Sequence, residues 1–158
     1  RDKMLMFEIE LVDEATSNVD EVRLISTARF TLEYLRLHPE TSLSIALVSL
    51  QEMEDLHQEH MNEPGPTDVL SFEMDELRTP AAGEEAEPGI LGDVVLCPEF
   101  AAKQASDNNQ DIESELDMLL IHGILHLLGH DHAEPDEHRV MFGIQEEILE
   151  ALKKGRGA

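Results

Sequence analysis

Four histidines and two glycines crowd an apolar stretch of eleven residues, HGILHLLGHDH, which runs from His122 to His132. His122 and His126 are four residues apart, so a helix places both imidazoles on one face, about one turn from each other. Two imidazoles at this spacing can bind a common metal ion, as they do in many zinc sites. The stretch therefore predicts a metal centre that takes a third ligand from further along the chain.

A glycine in this stretch gives the chain a way to bring in that third ligand. Glycine adopts the left-handed conformation that ends many helices, so we predict that the helix stops at Gly129 and the chain turns back. His132 can then reach the metal, whereas His130 would lie about 80° around a continued helix from His122. The resulting spacing, H-x-x-x-H-x-x-G-x-x-H, is that of the metzincin zinc ligands. We therefore predict a site formed by His122, His126 and His132.

Three neutral nitrogen ligands leave a coordination position open for water, which is typical of catalytic rather than structural sites. Two alternatives stay open. One is a structural metal with a fourth ligand from Cys97, His130 or Asp131. The other is a group of surface histidines that binds no metal.

The second position of the stretch argues against peptidase chemistry. Peptidases with an H-E-x-x-H motif use the glutamate to take a proton from the attacking water. Gly123 stands at that position and cannot do so. The sequence therefore assigns no side chain as the catalytic base. Another group, the metal's effect on the water alone, or the substrate itself can fill this role.

The composition limits the partners and the setting of the protein. The chain has 158 residues, with 35 acidic against 11 basic residues and a formal net charge of −24. Such a surface repels polyanions and disfavours non-specific binding of nucleic acid. No apolar run reaches the roughly 18 to 20 residues that span a bilayer. A single cysteine, Cys97, cannot form an internal disulfide, which suits a reducing cytoplasm.

The remaining sequence must fold so as to position the histidine helix. Hydrophobic patterns and turn residues predict strands over 4–11, 42–50, 67–74 and 90–98, and helices over about 18–38, 51–62, 99–107, 111–128 and from 135 onwards. In the first helix we expect Ser17 or Asn18 as the N-cap, with the buried face formed by Val22, Ile25, Leu32 and Leu35. Three early strands are separated by helices, and the last two strands can pair across a loop.

We therefore predict one α+β domain over residues 1–158, with a small mixed four-stranded sheet, about five helices and a metzincin-like zinc helix. Residues 73–89, which are rich in Ala, Gly, Pro and Glu, are predicted to form an exposed acidic loop. Residues 155–158 are predicted to fray.

Three stretches resemble those of a known family. HGILHLLGHDH resembles the H-G-x-L-H-L-x-G-[YH]-D-H signature of the YbeY family of metalloproteins. GPTDVLSFEMDE is similar to the family's P-T-D-V-L-S-F strand, and LGDVVLCPEFAAKQA to its L-G-D-I strand and the helix that follows. The order and spacing also agree, so the resemblance covers roughly residues 4–152.

The resemblance implies a single-strand-specific, metal-dependent endoribonuclease that acts in ribosomal RNA processing, notably at the 3′ end of small-subunit 16S RNA, and in ribosome quality control. It implies one zinc ion per chain on His122, His126 and His132, at the base of a cleft. The implied partners are ribosomal RNA, small-subunit proteins and an assembly GTPase, in the cytoplasm. Two other functions stay open: a hydrolase of another class, such as a peptidase or amidase, and a non-enzymatic assembly factor with a structural zinc.

The chain departs from the family at one position. Many members carry an arginine, in a Tyr-Arg pair, shortly before the P-T-D-V motif, where this chain has His60 and Met61. Arginine is suited to binding phosphate and to stabilising developing negative charge. The sequence therefore does not identify the group that binds the scissile phosphate. Arg23, Arg29 and Arg36 are candidates for a basic patch on the first helix.

Overall fold

The computed structural model describes residues 6–61, 68–131 and 133–156. Within these ranges the chain forms four strands, β1 (Glu8–Asp13), β2 (Ser42–Leu47), β3 (Val69–Glu73) and β4 (Ile90–Leu96). It also forms five helices, α1 (Glu21–Tyr34), α2 (Leu50–Met61), α3 (Pro98–Asp107), α4 (Ile112–Leu127) and α5 (Pro135–Gly155). The predicted elements are present in the predicted order, with ends that shift by a few residues.

The strands form one mixed sheet in the order β1-β2-β4-β3. β1 and β2, which helix α1 connects, are parallel, and β2 and β4 are also parallel. β3 pairs with β4 in the antiparallel direction, across the connection formed by residues 74–89. The predicted α+β fold with a mixed four-stranded sheet and five helices is therefore confirmed.

Apolar side chains cover both faces of the sheet. The larger core cluster joins strand residues such as Leu43, Ile45 and Val94 to Leu120 and Ile124 of α4. The smaller cluster lies on the other face, where Met53 of α2 packs with residues of β3 and β4. Helix α4 contacts β3, β4 and the helices α1, α3 and α5. This central position holds the histidine helix rigidly against the sheet.

Helix α1 differs from its prediction in its ends and in its buried face. Its N-cap is Asp20, which accepts a hydrogen bond from the Arg23 backbone N–H, so the prediction of Ser17 or Asn18 was wrong. The helix ends at Tyr34, and the backbone of Arg36 is left-handed, with a φ of 58°. Arg23, Arg29 and Arg36 therefore do not share one helix face.

The buried face of α1 agrees only in part with the predicted one. Leu32 and Leu35 are buried as predicted, but Val22 is 78% exposed and Ile25 is only partly buried. The other buried residues of the helix are Leu24, Thr27, Ala28 and Thr31. Two threonines turn inward because the Thr27 hydroxyl donates to a buried carboxylate of α4 and the Thr31 hydroxyl donates to the Thr27 carbonyl. A polar interior contact therefore determined which face of this helix is buried.

The connection between β3 and β4 is mostly exposed but is anchored at several points. Leu77 is buried in the larger core cluster. The Ile90 backbone N–H donates to the Asp75 carboxylate at 2.7 Å, and the Arg36 guanidinium donates to the Pro80 carbonyl at 3.4 Å.

Among the described helices, none combines the length and the apolar character needed to cross a membrane.

Candidate metal centre

Helix α4 has a defined polar contact at each end. At its N-terminus, Asp111 accepts a hydrogen bond from the Ser114 backbone N–H at 2.7 Å, and this bond lowers the pKa of Asp111. At its C-terminus, Gly129 is left-handed, with a φ of 95°. The Gly129 N–H donates to the His126 carbonyl at 3.0 Å, and the His130 N–H donates to the Leu125 carbonyl at 3.1 Å. These two bonds form a Schellman motif, which confirms the predicted end of the helix.

The two helical histidines lie side by side on the half-buried face of α4. The ring centroids of His122 and His126 are 4.8 Å apart, and the ring planes make an angle of 76°. His132 lies outside the described residues, so the complete set of three ligands stays a prediction. Within the described ranges, no group of three or more His, Cys, Asp or Glu side chains is placed to hold a metal ion.

A glutamine from α5 orients one of the two rings. Gln145 is 4% exposed, and its Oε1 lies 2.8 Å from the His122 Nδ1. Since an amide oxygen only accepts hydrogen bonds, Nδ1 carries the proton and Nε2 is the nitrogen with the lone pair. Metal-binding histidines are usually held by such a contact to the other ring nitrogen. The histidine pair and its glutamine therefore fit a zinc ion, which prefers neutral imidazole ligands.

The sequence analysis did not identify Gln145, although the sequence contains a signal. Buried residues of α5 are spaced along one face, at Met141, Gln145, Ile148 and Leu152. A glutamine on an otherwise apolar stripe needs a hydrogen-bond partner inside the protein. The Met141 side chain is fully buried in the larger core cluster, where it serves packing.

Gly123 is a packing residue between the helix and the sheet. A Cβ atom at this position would lie 2.8 Å from Val94 Cγ1 and 3.2 Å from both Ser71 Oγ and Val69 Cγ2. The Ser71 hydroxyl donates to the Gly123 carbonyl at 2.9 Å. A glutamate at this position would collide with β3 and β4 instead of reaching the histidine face. The close approach of α4 to the sheet thus explains why the peptidase glutamate is absent.

Arg78, which was not among the predicted site residues, lies at the C-terminal turn of α4. A Cβ on Gly129 would lie 2.6 Å from Arg78 Nε and 2.7 Å from Arg78 Cζ, so the guanidinium rests against this glycine. Burial, and secondly the charge of Arg78, lower the pKa of His130. Arg78 belongs to the connection between β3 and β4, where no periodic pattern predicts the position of a side chain.

Cys97, which was a possible fourth ligand of a structural metal, lies elsewhere. It is buried with Val48, Met53, Leu70 and Val95 in the smaller core cluster. Burial raises the pKa of its thiol, which disfavours the thiolate that a metal needs. His60 packs the edge of its ring against Phe72, with the centroids 4.8 Å apart. Neither residue is therefore grouped with the histidine pair.

The N-terminal half of α4 contains two buried carboxylates. Asp117 accepts hydrogen bonds from Arg23 Nη2 at 2.7 Å, Arg156 Nη1 at 2.9 Å and the Thr27 hydroxyl at 2.7 Å. Glu115 lies near the carboxylate of Asp68. The side-chain amide nitrogen of Gln104, when it is turned toward these two carboxylates, lies 3.2 Å from both Glu115 Oε2 and Asp68 Oδ2. Burial, and secondly the negative charge of Asp68, raise the pKa of Glu115.

The mixed sheet and the histidine pair define a small α+β protein with a candidate metal centre at the C-terminal end of its central helix. A family model described as Endoribonuclease YbeY matches residues 9–153. The chain therefore belongs to the YbeY endoribonuclease family.

Individual relatives agree with this assignment. A protein of Thermobifida fusca (strain YX) named Endoribonuclease YbeY is 55% identical over 146 residues, which cover 92% of this chain and 94% of that protein. Its namesake in Cutibacterium acnes is 51% identical over 143 residues, which cover 90% of this chain and 92% of that protein. The solution structure of TM1509 from Thermotoga maritima is similar with a TM-score of 0.60 and 26% identity, and the match covers 92% of this chain and 87% of that one.

Proposed function

We propose that the protein is a zinc-dependent, single-strand-specific endoribonuclease that acts in ribosomal RNA processing, at the 3′ end of small-subunit RNA, and in ribosome quality control. The observation that carries this proposal is the family match over residues 9–153, because the matched region contains the His122–His126 pair and the glutamine that orients it.

In this proposal His122, His126 and His132 hold one zinc ion. Gln145 keeps His122 in the tautomer that offers Nε2, and the turn at Gly129 directs the chain toward His132. A zinc ion, when bound, acts as a Lewis acid toward a phosphoryl oxygen and toward water. No side chain is assigned as the base, since Gly123, which has no side chain, stands where a peptidase carries its catalytic glutamate, and the neighbouring strands leave no space for one.

The packing at Gly123 also weighs against the peptidase or amidase alternative. That chemistry uses a glutamate one residue after the first histidine, and β3 and β4 leave no space for it here. A structural zinc is a weaker alternative as well, because the candidate sulfur ligand Cys97 is packed among apolar side chains of another core cluster.

The net charge of −24 disfavours the binding of RNA, which is also negatively charged. At physiological ionic strength charges are screened beyond about 8 Å, so a locally favourable cleft can still bind a single strand. We propose that basic small-subunit proteins, and an assembly GTPase, dock on the acidic surface and deliver the RNA in the cytoplasm. Association with precursor ribosomal particles should then fall sharply in high salt, and salt-independent association would count against this docking.

The activity is tested by incubating zinc-loaded protein with precursor small-subunit RNA, both free and in ribosomal particles. Cleavage near the 3′ end by the wild type, and none by His126→Ala at equal zinc concentration, is the expected result. Equal cleavage by both proteins would identify a contaminating nuclease and overturn the proposal. Unfolding of His122→Ala in the same buffer would instead indicate a structural zinc.

A further inference from the structure

The side chain of Arg78 is held at the turn that links the helical histidines to His132. Its Nε and Cζ atoms lie 2.6 and 2.7 Å from the position of a Cβ on Gly129, so the guanidinium packs directly against this glycine. Since this turn follows His126 directly, the guanidinium lies at the end of the helix where the candidate metal centre is located.

Two contacts determine the orientation of this side chain. Nη1 donates to the Leu77 carbonyl at 2.7 Å and to Glu73 Oε2 at 3.2 Å. Leu77 is buried in the core, which anchors the backbone beside Arg78. A cation at the C-terminal end of a helix is also stabilised by the helix dipole. These contacts hold the positive charge of Arg78 in a defined position at the end of α4.

The outer part of the guanidinium is accessible. The Arg78 side chain is 48% exposed, and Nη2 contacts only one described carboxylate, Glu76 Oε2, at 3.4 Å. The Glu76 side chain is 82% exposed. An exposed ion pair of this kind changes an equilibrium by about fivefold at most, whereas a charge-assisted hydrogen bond to a phosphate changes it by about tenfold or more. A phosphate can therefore displace Glu76.

Three other described arginines are paired with aspartates. Arg23 and Arg156 bind the buried carboxylate of Asp117, and Arg139 pairs with Asp136. In a chain with a net charge of −24, a cation fixed beside the candidate metal centre is valuable for binding an anion.

We propose that Arg78 binds a backbone phosphate of the RNA strand at the metal-binding end of α4, and that Glu76 gives way to this phosphate. The inference rests on the proposed ribonuclease function and assigns a substrate-binding residue to it. Because Nη1 is occupied by the Leu77 carbonyl and Glu73, Nη2 is the group that donates to the phosphate, assisted by the positive charge of the guanidinium.

The test measures binding of a fluorescently labelled single-stranded RNA from the small-subunit 3′ region by anisotropy, in a His126→Ala background that does not cleave it. We expect Arg78→Ala to weaken binding about tenfold and to reduce the slope of log Kd against log salt by about 0.7, the value for one phosphate contact on a single strand. Arg78→Lys should weaken binding less. Arg36→Ala is the matched control, because it removes a cation that contacts the same connection at Pro80.

A second variant tests the displacement of the carboxylate. Glu76→Gln keeps Arg78 and removes its competing partner, so RNA binding should tighten by up to about fivefold. Thermal unfolding of each variant confirms that the fold is retained.

Several outcomes would overturn the inference. Unchanged Kd and salt slope in Arg78→Ala would do so, as would binding by Glu76→Gln that is no tighter. Zinc affinity is measured in parallel by competition with a chelator. If Arg78→Ala loses zinc affinity but binds RNA normally, the arginine supports the turn and binds no phosphate. RNA cleavage by the wild type together with unchanged binding by Arg78→Ala refutes this inference alone, whereas a wild type that neither binds nor cleaves RNA refutes the proposed function itself.

Discussion

The two halves of helix α4 hold their polar side chains in different ways. In the N-terminal half, Asp117 is surrounded by two arginines and a threonine. In the C-terminal half, the Nδ1 of His122 contacts a neutral glutamine, and the His122 ring lies beside those of His126 and Phe142. A carboxylate surrounded by several donors is fixed within a hydrogen-bond network, whereas an imidazole with one oriented nitrogen keeps the other available to bind a metal ion.

The comparison teaches that burial alone does not mark a functional group. Both halves belong to one helix, which packs against β3, β4 and the helices α1, α3 and α5. The carboxylate network joins α1, α4 and the end of α5, so it serves stability. The histidine face adjoins the turn at Gly129, and in the proposed function it binds the metal ion. The variants below test this division, in order of decreasing expected effect.

The largest effect is expected for His126→Ala in the C-terminal half. Loss of one of the three proposed metal ligands should reduce the rate of RNA cleavage by about 10³-fold or more, because a bound zinc ion would supply the Lewis acid of the proposed reaction. The free energy of unfolding of the metal-free protein should change by about 1 kcal/mol at most, since the ring is only half-buried. Kinetics and urea denaturation of the same preparations measure both quantities. A large decrease in the free energy of unfolding for His126→Ala would contradict the assignment of the C-terminal half to function and not to stability.

The second effect is expected for Asp117→Asn in the N-terminal half. The change removes the charge between Arg23 and Arg156, and breaking a buried ion pair costs about 3 kcal/mol or more of unfolding free energy. Zinc affinity of the folded protein should be unchanged. Asp136→Asn is the control, because its pair with Arg139 is exposed and should contribute almost nothing. Equal stability of the two variants would show that the network is not structural.

A smaller effect is expected for Gln145, which supports the histidine face from α5. Gln145→Leu keeps the approximate size but removes the acceptor for His122 Nδ1, so zinc affinity should fall by about 10- to 100-fold. Gln145→Glu retains an acceptor and should retain affinity. Chelator competition provides the measurement. If both variants bind zinc equally well, the glutamine does not orient the ring.

The smallest effect is expected for Glu115→Gln. Burial and Asp68 raise the pKa of Glu115 in the folded protein, so the folded state keeps its proton at a pH where the unfolded state has lost it. The wild type therefore loses stability as the pH rises from the unfolded pKa, about 4.3, through the folded pKa. The variant should be more stable by about 1 kcal/mol near pH 7, and the difference should shrink toward pH 4. A difference that stays constant with pH would contradict the raised pKa.

The candidate site was only partly predictable. The spacing of His122 and His126 and the glycine at 129 are local signals. They correctly predicted that the two rings lie side by side and that the helix ends at a left-handed glycine. The buried face of α1 was predicted correctly at Leu32 and Leu35 but not at Val22, because the first turns of the helix are oriented by a threonine and an arginine that bind Asp117 on another helix. Apolar spacing alone does not reveal such a contact.

The amino-acid sequence by itself determined the order of the elements, the side-by-side histidines and the turn that ends their helix, because each depends on residues close together in the chain. Only the tertiary structure decided which groups surround the site. Gln145 meets His122 from 23 residues away, and Arg78 reaches Gly129 from a connection without periodicity. Gly123 acquires its role from the side chains of β3 and β4. Such contacts depend on how elements pack, and packing is a property of the whole chain that no single stretch contains.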